Sequence, residues 1–319
     1  MSGWSLYTGS DEEWDRQLSS MESWSYFHRS EWSSHLKNMG WSVARWHYQD
    51  SGNEALLQGF FKRYCCGITI FWFPDWIIGD YAFSERVEQD IRKTLKIRFL
   101  YIRIRSHRLL NLKDIDNMQI FKRPIKALNS GLTMHLNLQL SETELRQNLT
   151  KNWRHNLNRS NKLDYRICDI KDTEVIIELY SELASTKNIK DLFTPCEIRS
   201  LMEIYGDKIV VIGAVTPDGV VQAIRGAIIV SDRAIDIFAA ASLFSRKHYL
   251  SYSLCWEILL RSKAQGCEVY NFNGVDPENN PGVYNFKKGT GAKLVEMLGE
   301  FEWSNIPLMR VLVRLMNRR

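Results

Sequence analysis

Near its C-terminal end the 319-residue chain reads Gly266-Cys267-Glu268-Val269-Tyr270-Asn271-Phe272-Asn273-Gly274 and then Asn285-Phe286-Lys287-Lys288-Gly289-Thr290-Gly291. The first run carries β-prone side chains and predicts a buried strand that ends at Gly274. The Gly, Pro and Asn residues between the two runs predict a loop, with Lys287 carried on it among glycines. A strand end that opens into a loop is a typical position for a functional site.

The sequence on either side of this region predicts regular elements. Residues 250–264 have helical periodicity and end at a glycine, and residues 293–303 predict a strand. The predicted order is therefore helix, strand, site loop, strand.

A family resemblance becomes visible at these residues. The run YNFNGVDPENNPGVYNFKKGTGAKLVEMLGEFEW, residues 270–303, resembles the closing signature of the Fem-type (FemABX) peptidoglycan-bridge aminoacyltransferases. In that signature a strand ending in Gly leads through a variable loop to a Phe-Lys pair. The run FHRSEWSSHLKNMGW, residues 27–41, is similar to the family's first helix, where Ser-x-Trp precedes Leu-Gly-Trp.

The resemblance implies both a fold and an activity. The expected fold is α/β (α+β), with two tandem GNAT-like acyltransferase domains, a cleft between them and no coiled-coil arm. The expected activity is transfer of an amino acid from aminoacyl-tRNA to a peptidoglycan-precursor peptide. The implied partners are the tRNA acceptor end and a cell-envelope precursor, with no DNA.

Hydrophobic periodicity along the chain predicts a repeated order of elements. Its first half predicts two helices, three strands, a helix and a strand, and the second half repeats this order from pattern rather than from residue identity. We therefore predict a first domain at residues 1–140 (acceptor side) and a second at 141–304 (donor side). Residues 305–319 are expected to form a helix that packs back on the first domain.

Composition indicates a soluble globular protein. The apolar fraction is 45% and the charged fraction 25%, which are ordinary values. The N-terminus lacks a signal-peptide pattern, and no apolar run reaches the ~18 residues of a membrane span. The six cysteines and seven histidines lack metal-ligand spacing, so free thiols, no metal and no cofactor are expected. We predict a cytoplasmic protein and keep peripheral contact with the inner face of the membrane as an alternative.

The charge pattern permits a polyanionic partner. The formal net charge is +5, and a capping box at Ser141 predicts one long helix. At helical spacing that helix places basic residues near one face, where they can meet phosphates, although a solvated face is an equally good reading. These residues are Lys151, Arg154, His155, Arg159 and Lys162.

The resemblance also implies roles for single residues. Lys287 would contact the tRNA acceptor end and stabilise the developing negative charge on the ester carbonyl, and Phe286 would lie beside the terminal adenine. Donor phosphates are assigned to Lys288, Arg246, Lys247 and His248. Substrate contacts are assigned to Lys37, Arg154, Arg159, Lys187 and Asn271, the last of which stands where the family usually has Asp.

Two other functions remain open from the sequence. One is an acyl-CoA-dependent N-acyltransferase acting on an amino sugar, although residues 246–251 lack the glycines that cradle a pyrophosphate in such enzymes. The other is a non-catalytic binding protein of the same fold.

Overall fold

A computed structural model of the chain describes residues 3–21, 24–50, 53–80, 86–187 and 193–316. The chain divides into two compact units, the first formed by Met1–Gly131 with Glu296–Arg319 and the second by Leu132–Val295. Both units combine a mostly antiparallel sheet with helices. No helix of the described residues has the length and apolar character needed to cross a membrane.

Unit 1 is built around a sheet in the order β1-β2-β3-β4-β5-β12. Only the β4–β5 pair is parallel, and helix α3 connects these two strands. Its core contains Trp46, Phe71, Phe73 and Trp76, all fully buried. The elements are β1 Trp4–Leu6, α1 Asp11–Ser20, α2 Ser30–Asn38, β2 Ser42–Asp50, β3 Asn53–Arg63, β4 Ile68–Phe73, α3 Val87–Thr94, β5 Phe99–Leu109, α4 Leu112–Asn117, β12 Lys293–Ser304 and α12 Pro307–Met316.

Unit 2 repeats this order with the strands β6-β11-β10-β9-β8-β7. Its one parallel pair, β10–β11, is again connected by a helix, α10, whose side chains Leu254, Ile258 and Leu259 pack in the core. The elements are β6 Leu132–Asn137, α5 Glu142–Asn148, α6 Lys151–Ser160, β7 Arg166–Asp169, α7 Thr173–Lys187, α8 Pro195–Tyr205, β8 Ile209–Val215, β9 Val221–Val230, β10 Arg233–Ala241, α9 Leu243–His248, α10 Leu250–Ala264, β11 Val269–Gly274 and α11 Pro281–Lys288.

The unit boundaries differ from those expected at residues 140 and 304. Strand β6 pairs with β11 and belongs to unit 2, whereas β12 from Glu296 onward pairs with β5 and belongs to unit 1. Each sheet thus receives one strand from the other half of the sequence. Local periodicity predicted both strands but carries no information about their distant partners.

The C-terminal helix α12 lies on unit 1. Met309 and Val313 pack against Tyr101, and Arg310 donates to the buried carboxylate of Glu302 at 2.6 Å. Arg310 therefore pairs within the protein. Arg318 and Arg319 of the same tail lie outside the described residues.

The long helix predicted from Ser141 is wrong, because two helices, α5 and α6, occupy this stretch. Leu149 has an extended backbone, and Thr150 begins α6 by accepting a hydrogen bond from the Trp153 amide. The Thr150 amide in turn donates to the carbonyl of Gly289 at 2.9 Å. The break therefore fixes the start of α6 against the end of α11.

Candidate functional site

The end of β11 has an irregular backbone that exposes two carbonyl groups. The register with β6 shifts between Asn271 and Gly274, and Asn273 has a φ of 61°. The Asn271 side-chain oxygen accepts from Thr133 Oγ1 at 2.7 Å and from the Asn273 amide at 2.8 Å. Asn271 therefore holds the distorted strand end through an acceptor, a role that a carboxylate could also fill.

Lys287 lies on helix α11 and not on the predicted loop. Asn280 caps this helix by accepting from the Val283 amide, and Pro281 occupies the first turn. In the sequence this Asn-Pro pair was interpreted as turn punctuation, but it is also a helix start signal. Lys287 is only 8% exposed, so the helix carries the lysine inward.

The Lys287 ammonium is anchored by the end of β11. Its Nζ donates to the carbonyl oxygen of Phe272 at 2.6 Å and to that of Gly274 at 3.0 Å. An ammonium has three N–H donors, so these two acceptors leave one donor unassigned among the described residues. Burial lowers the pKa of Lys287 from its ordinary value.

A buried ion pair accompanies the lysine. Arg225 donates to Asp236 at 2.8 Å, and the Tyr270 hydroxyl donates to the other oxygen of the same carboxylate at 2.9 Å. After burial, the strongest influence on the pKa of Lys287 is the Asp236 carboxylate, which raises it, whereas Arg225 lowers it further. The cluster thus contains two cations, Arg225 and Lys287, for one carboxylate.

Local packing fixes the neighbours of this cluster. The Phe286 ring contacts Tyr252 with centroids 4.9 Å apart, and Arg225 lies 5.5 Å from its centre. Trp153 donates from Nε1 to the Phe286 carbonyl at 3.1 Å. Phe286 is thus held by aromatic residues of α6 and α10, and its predicted place beside an adenine stays a prediction.

The structure brings two predicted basic groups together around Tyr249. Arg159 of α6 donates to the Tyr249 hydroxyl at 3.0 Å and stacks 4.4 Å from its ring centre. Tyr249 has a φ of 61° and joins α9, which ends with Arg246, Lys247 and His248, to α10. Arg159, which was predicted to contact substrate, therefore shares Tyr249 with the end of α9, where Arg246, Lys247 and His248 were predicted to contact donor phosphates.

Three other predicted residues are exposed. Lys37 is exposed on α2 of unit 1, and Lys288 is exposed with its ammonium 5.6 Å from the ring centre of Tyr284. Arg154 is exposed on α6 and donates to the carbonyl of Leu149. The side chain of Lys187 lies outside the described residues.

The sequence reasoning missed Arg225, Asp236, Tyr270 and Cys255. A signal for the first two was present in one hairpin, because Arg225 is the one charged residue of β9, and Asp236 is the one charged residue that follows Arg233 in β10. Cys255 is fully buried on α10, and burial raises the pKa of its thiol to about 11. Such a thiol is a packing element rather than a nucleophile at neutral pH.

Within the described residues, no group of three or more His, Cys, Asp and Glu side chains could hold a metal ion. The chemistry that the site offers is therefore that of a desolvated ammonium and a buried ion pair.

Part of the chain is similar to a known protein family. The model of the FemAB family matches residues 211–318, which include β11, α11 and β12. The solved structure of FemX aligns with 97% of this chain and 99% of its own, with a TM-score of 0.81 and 14% identity.

Two further solved structures share the fold of this chain. L-PGS from Bacillus licheniformis has a TM-score of 0.56 at 14% identity and covers 97% of this chain and 98% of its own. A tandem GNAT protein from the clavulanic acid biosynthesis pathway has a TM-score of 0.61 at 11% identity, covering 96% and 99%. The predicted class, α/β with two GNAT-like units, is confirmed. No curated protein matches the sequence.

Proposed function

We propose that this protein is a Fem-type aminoacyltransferase that moves an amino acid from aminoacyl-tRNA to an amine of a cell-envelope precursor. The observation that carries the proposal is the Lys287 ammonium, which two carbonyl groups hold in a buried position with one N–H donor left over. The FemAB match over residues 211–318 includes this lysine and supports the same class of reaction.

The transfer is an attack of an amine on an ester carbonyl. A C–N bond forms, the carbonyl oxygen takes negative charge, and the ester C–O bond then breaks. The proton lost by the amine leaves with the ribose hydroxyl of the tRNA. A fixed cation beside the carbonyl oxygen lowers the barrier, and Lys287 supplies it from a desolvated position where its charge acts strongly.

The excess of positive charge in this cluster explains why Lys287, and not Arg225, stabilises the carbonyl oxygen. Asp236 is engaged by Arg225 and Tyr270, so the lysine is left with neutral carbonyl partners. Carbonyl oxygens orient an ammonium without neutralising it. The Lys287 charge is thus kept available for an oxygen that becomes negative only during the reaction.

The basic residues around Tyr249 are assigned to the tRNA phosphates. Arg159, Arg246 and Lys247 would contact the phosphate backbone, which positions nucleic acid without reading its sequence. We expect the RNA affinity to fall as salt rises from low to physiological concentration, because each phosphate contact releases counterions. An affinity independent of salt would contradict this assignment.

The residues proposed to contact the acceptor precursor are those predicted from the sequence. Lys37 and Lys187 remain proposed contacts to the precursor. Asn271 is better assigned to holding the strand end that anchors Lys287, since its oxygen already accepts two hydrogen bonds there.

A second candidate donor, acyl-CoA, has one observation in its favour. Tyr249, the residue before helix α10, provides no side-chain cap, and an anionic group would supply that missing acceptor. Against it, residues 246–251 form the end of α9 and the start of α10 and carry no glycine. We expect CoA to bind weakly, and calorimetry that gives a micromolar Kd would favour this donor instead.

The test is a transfer assay with a bulk pool of tRNA charged with radiolabelled amino acids and a set of envelope precursors. We expect label in a precursor with the wild type and roughly a hundredfold lower turnover, about 3 kcal/mol, with Lys287→Ala. Lys287→Arg should recover only part of the rate, since a planar guanidinium replaces a compact charge.

The control is Lys293→Ala, since Lys293 is an exposed lysine at the start of β12, shortly after the same helix, and has no assigned role. It should keep near wild-type turnover. If Lys287→Ala also keeps it with the true substrates, Lys287 is structural. Absence of transfer with every charged tRNA, together with binding of a precursor, would favour the non-catalytic reading.

A further inference from the structure

We propose that unit 1 carries an oxyanion-binding site formed by Arg105 and Trp32 at the ring of Phe27. Both side chains contact this ring: the Arg105 guanidinium carbon lies 4.9 Å from its centre, and the Trp32 and Phe27 centroids are 4.9 Å apart. The ligand class is a small molecule with a phosphate or carboxylate group. The site is independent of the transfer reaction and of Lys287.

The two side chains present buried donors without acceptors. Arg105 Nε and Trp32 Nε1 are buried, and neither has a hydrogen-bond partner among the described residues. Trp32 as a whole is 6% exposed. Both groups can only donate, and leaving such donors unpaired costs free energy. Their complement is an acceptor, and next to a guanidinium the preferred acceptor is anionic.

The nearest carboxylate is occupied elsewhere. Glu300 stands opposite Arg105 in the β5–β12 pairing, yet one of its oxygens accepts from the amides of Leu128 and Asn129 and the other pairs with Arg103. No ion pair joins Glu300 to Arg105 in the described part of the chain. Arg103 also offsets the repulsion that Glu300 would exert on a bound anion.

A second carboxylate near the Phe27 ring, that of Asp75, already interacts with histidine side chains. His107 stacks on Phe27 with centroids 4.7 Å apart, and its Nδ1 lies 3.5 Å from Asp75. Asp75 also accepts from the amides of Trp76 and His107, and His28 approaches it at 4.0 Å. Asp75 is therefore saturated by its own neighbours. Among the described residues, Arg105 is therefore a cation of this region with no carboxylate partner.

Arg105 is accessible to a ligand, because it is half-buried rather than fully enclosed. It lies on the same face of β5 as Arg103, which is two residues away, as alternate residues of a strand do. Trp72 stands beside Arg103 in the neighbouring strand and is also half-buried. An anion can thus approach Arg105 along a face that carries cations and an aromatic ring.

The experiment measures binding of inorganic phosphate and of acetate by thermal shift and calorimetry at constant ionic strength, with chloride as the balancing ion. We expect concentration-dependent stabilisation of the wild type. Tighter binding of phosphate would identify the ligand as a phosphate ester. Tighter binding of acetate would identify it as a carboxylate. Arg105→Gln should weaken binding at least tenfold, and Trp32→Phe should weaken it several-fold.

Arg63→Gln is the matched control, since Arg63 also lies over a phenylalanine of unit 1, Phe61 at 5.7 Å, but is exposed. It should bind as the wild type does. The proposal is overturned if the wild type is not stabilised by either ion, or if Arg105→Gln binds as tightly as the wild type.

A second readout needs no substitution and covers the case in which Arg105→Gln fails to fold. Burial and, after it, the Arg105 charge lower the pKa of His107. An anion bound at Arg105 offsets that charge, so saturating phosphate or acetate should raise the pKa of His107 measured by NMR. An unchanged His107 titration at saturation would also overturn the proposal.

Discussion

Two buried ion clusters, one in each unit, differ in their balance of charge. In unit 1 the carboxylates of Glu300 and Glu302 meet the guanidinium groups of Arg103 and Arg310, two against two. In unit 2 Arg225 and Lys287 share the single carboxylate of Asp236. The balanced cluster ties segments of chain together, whereas the unbalanced one keeps a desolvated cation ready for an anionic partner.

The hydrogen bonds of the two clusters support this contrast. Glu302 accepts from Tyr101, Arg103 and Arg310, and thereby joins β5, β12 and α12. Glu300 adds the chain at Leu128 and Asn129. Lys287, by contrast, is held among the described residues by two backbone carbonyls.

The largest effect is expected from breaking the balanced cluster. Glu302→Gln keeps the shape of the side chain but leaves two arginines facing one carboxylate, so we expect a loss of about 5 kcal/mol of unfolding free energy. Chemical denaturation measures it. Glu296→Gln, at an exposed position of the same strand, is the control and should change stability by less than ~0.5 kcal/mol. If Glu302→Gln also changed the free energy of unfolding by less than ~0.5 kcal/mol, the cluster would not stabilise unit 1.

A smaller loss is expected from removing the carboxylate of the unbalanced cluster. Asp236→Asn leaves two buried cations unpaired, and we expect a loss of about 3 kcal/mol. Adding Lys287→Met removes one of these cations, so the double variant should be more stable than the sum of the single changes predicts. Asp232→Asn, at an exposed residue, is the control for Asp236→Asn. Additive single effects would contradict the idea of a shared charge excess.

The unbalanced cluster should also give stability a particular dependence on pH. Burial lowers the pKa of Lys287 in the folded state, so in the alkaline range the unfolded chain binds more protons at this residue. Stability contributed by Lys287 therefore rises with pH between the folded and the unfolded pKa, by at most about 1.4 kcal/mol per pH unit.

Denaturation of the wild type and of Lys287→Met at several alkaline pH values measures this effect. The difference in unfolding free energy, wild type minus variant, should grow with pH and level off near the ordinary lysine pKa of 10.5. A difference that falls with pH would mean that folding favours the charged lysine.

Most elements of both clusters could be predicted from the sequence, but their pairing could not. The observed bounds of helix α10, Leu250–Ala264, match the predicted residues 250–264. The exchange of β6 and β12 between the sheets depends on partners distant in sequence, which a local pattern does not encode. The three-residue strand β1 is too short to produce a pattern.

The candidate site was predicted in part for the same reason. Lys287 was found by its Phe-Lys motif, but its helix was read as a loop because Asn280-Pro281 suits both. Arg225 and Asp236 lie on different strands, and only the fold shows that they meet. Their charges inside apolar strands were a signal that local reasoning did not connect to Lys287.

The smallest effect is expected where the position of Lys287 is disturbed without changing any charge. Thr150 caps α6 through its hydroxyl, and its amide holds the Gly289 carbonyl at the end of the helix that carries Lys287. Thr150→Ala removes only the cap, so we expect a loss of about 1 kcal/mol, measured by denaturation, with Thr143→Ala at an exposed position of α5 as the control. Because the ion pair and the lysine stay in place, the pH dependence of stability should match that of the wild type. A changed pH dependence would show that the cap also sets the environment of the Lys287 ammonium. The position of Lys287 and its charge would then depend on each other.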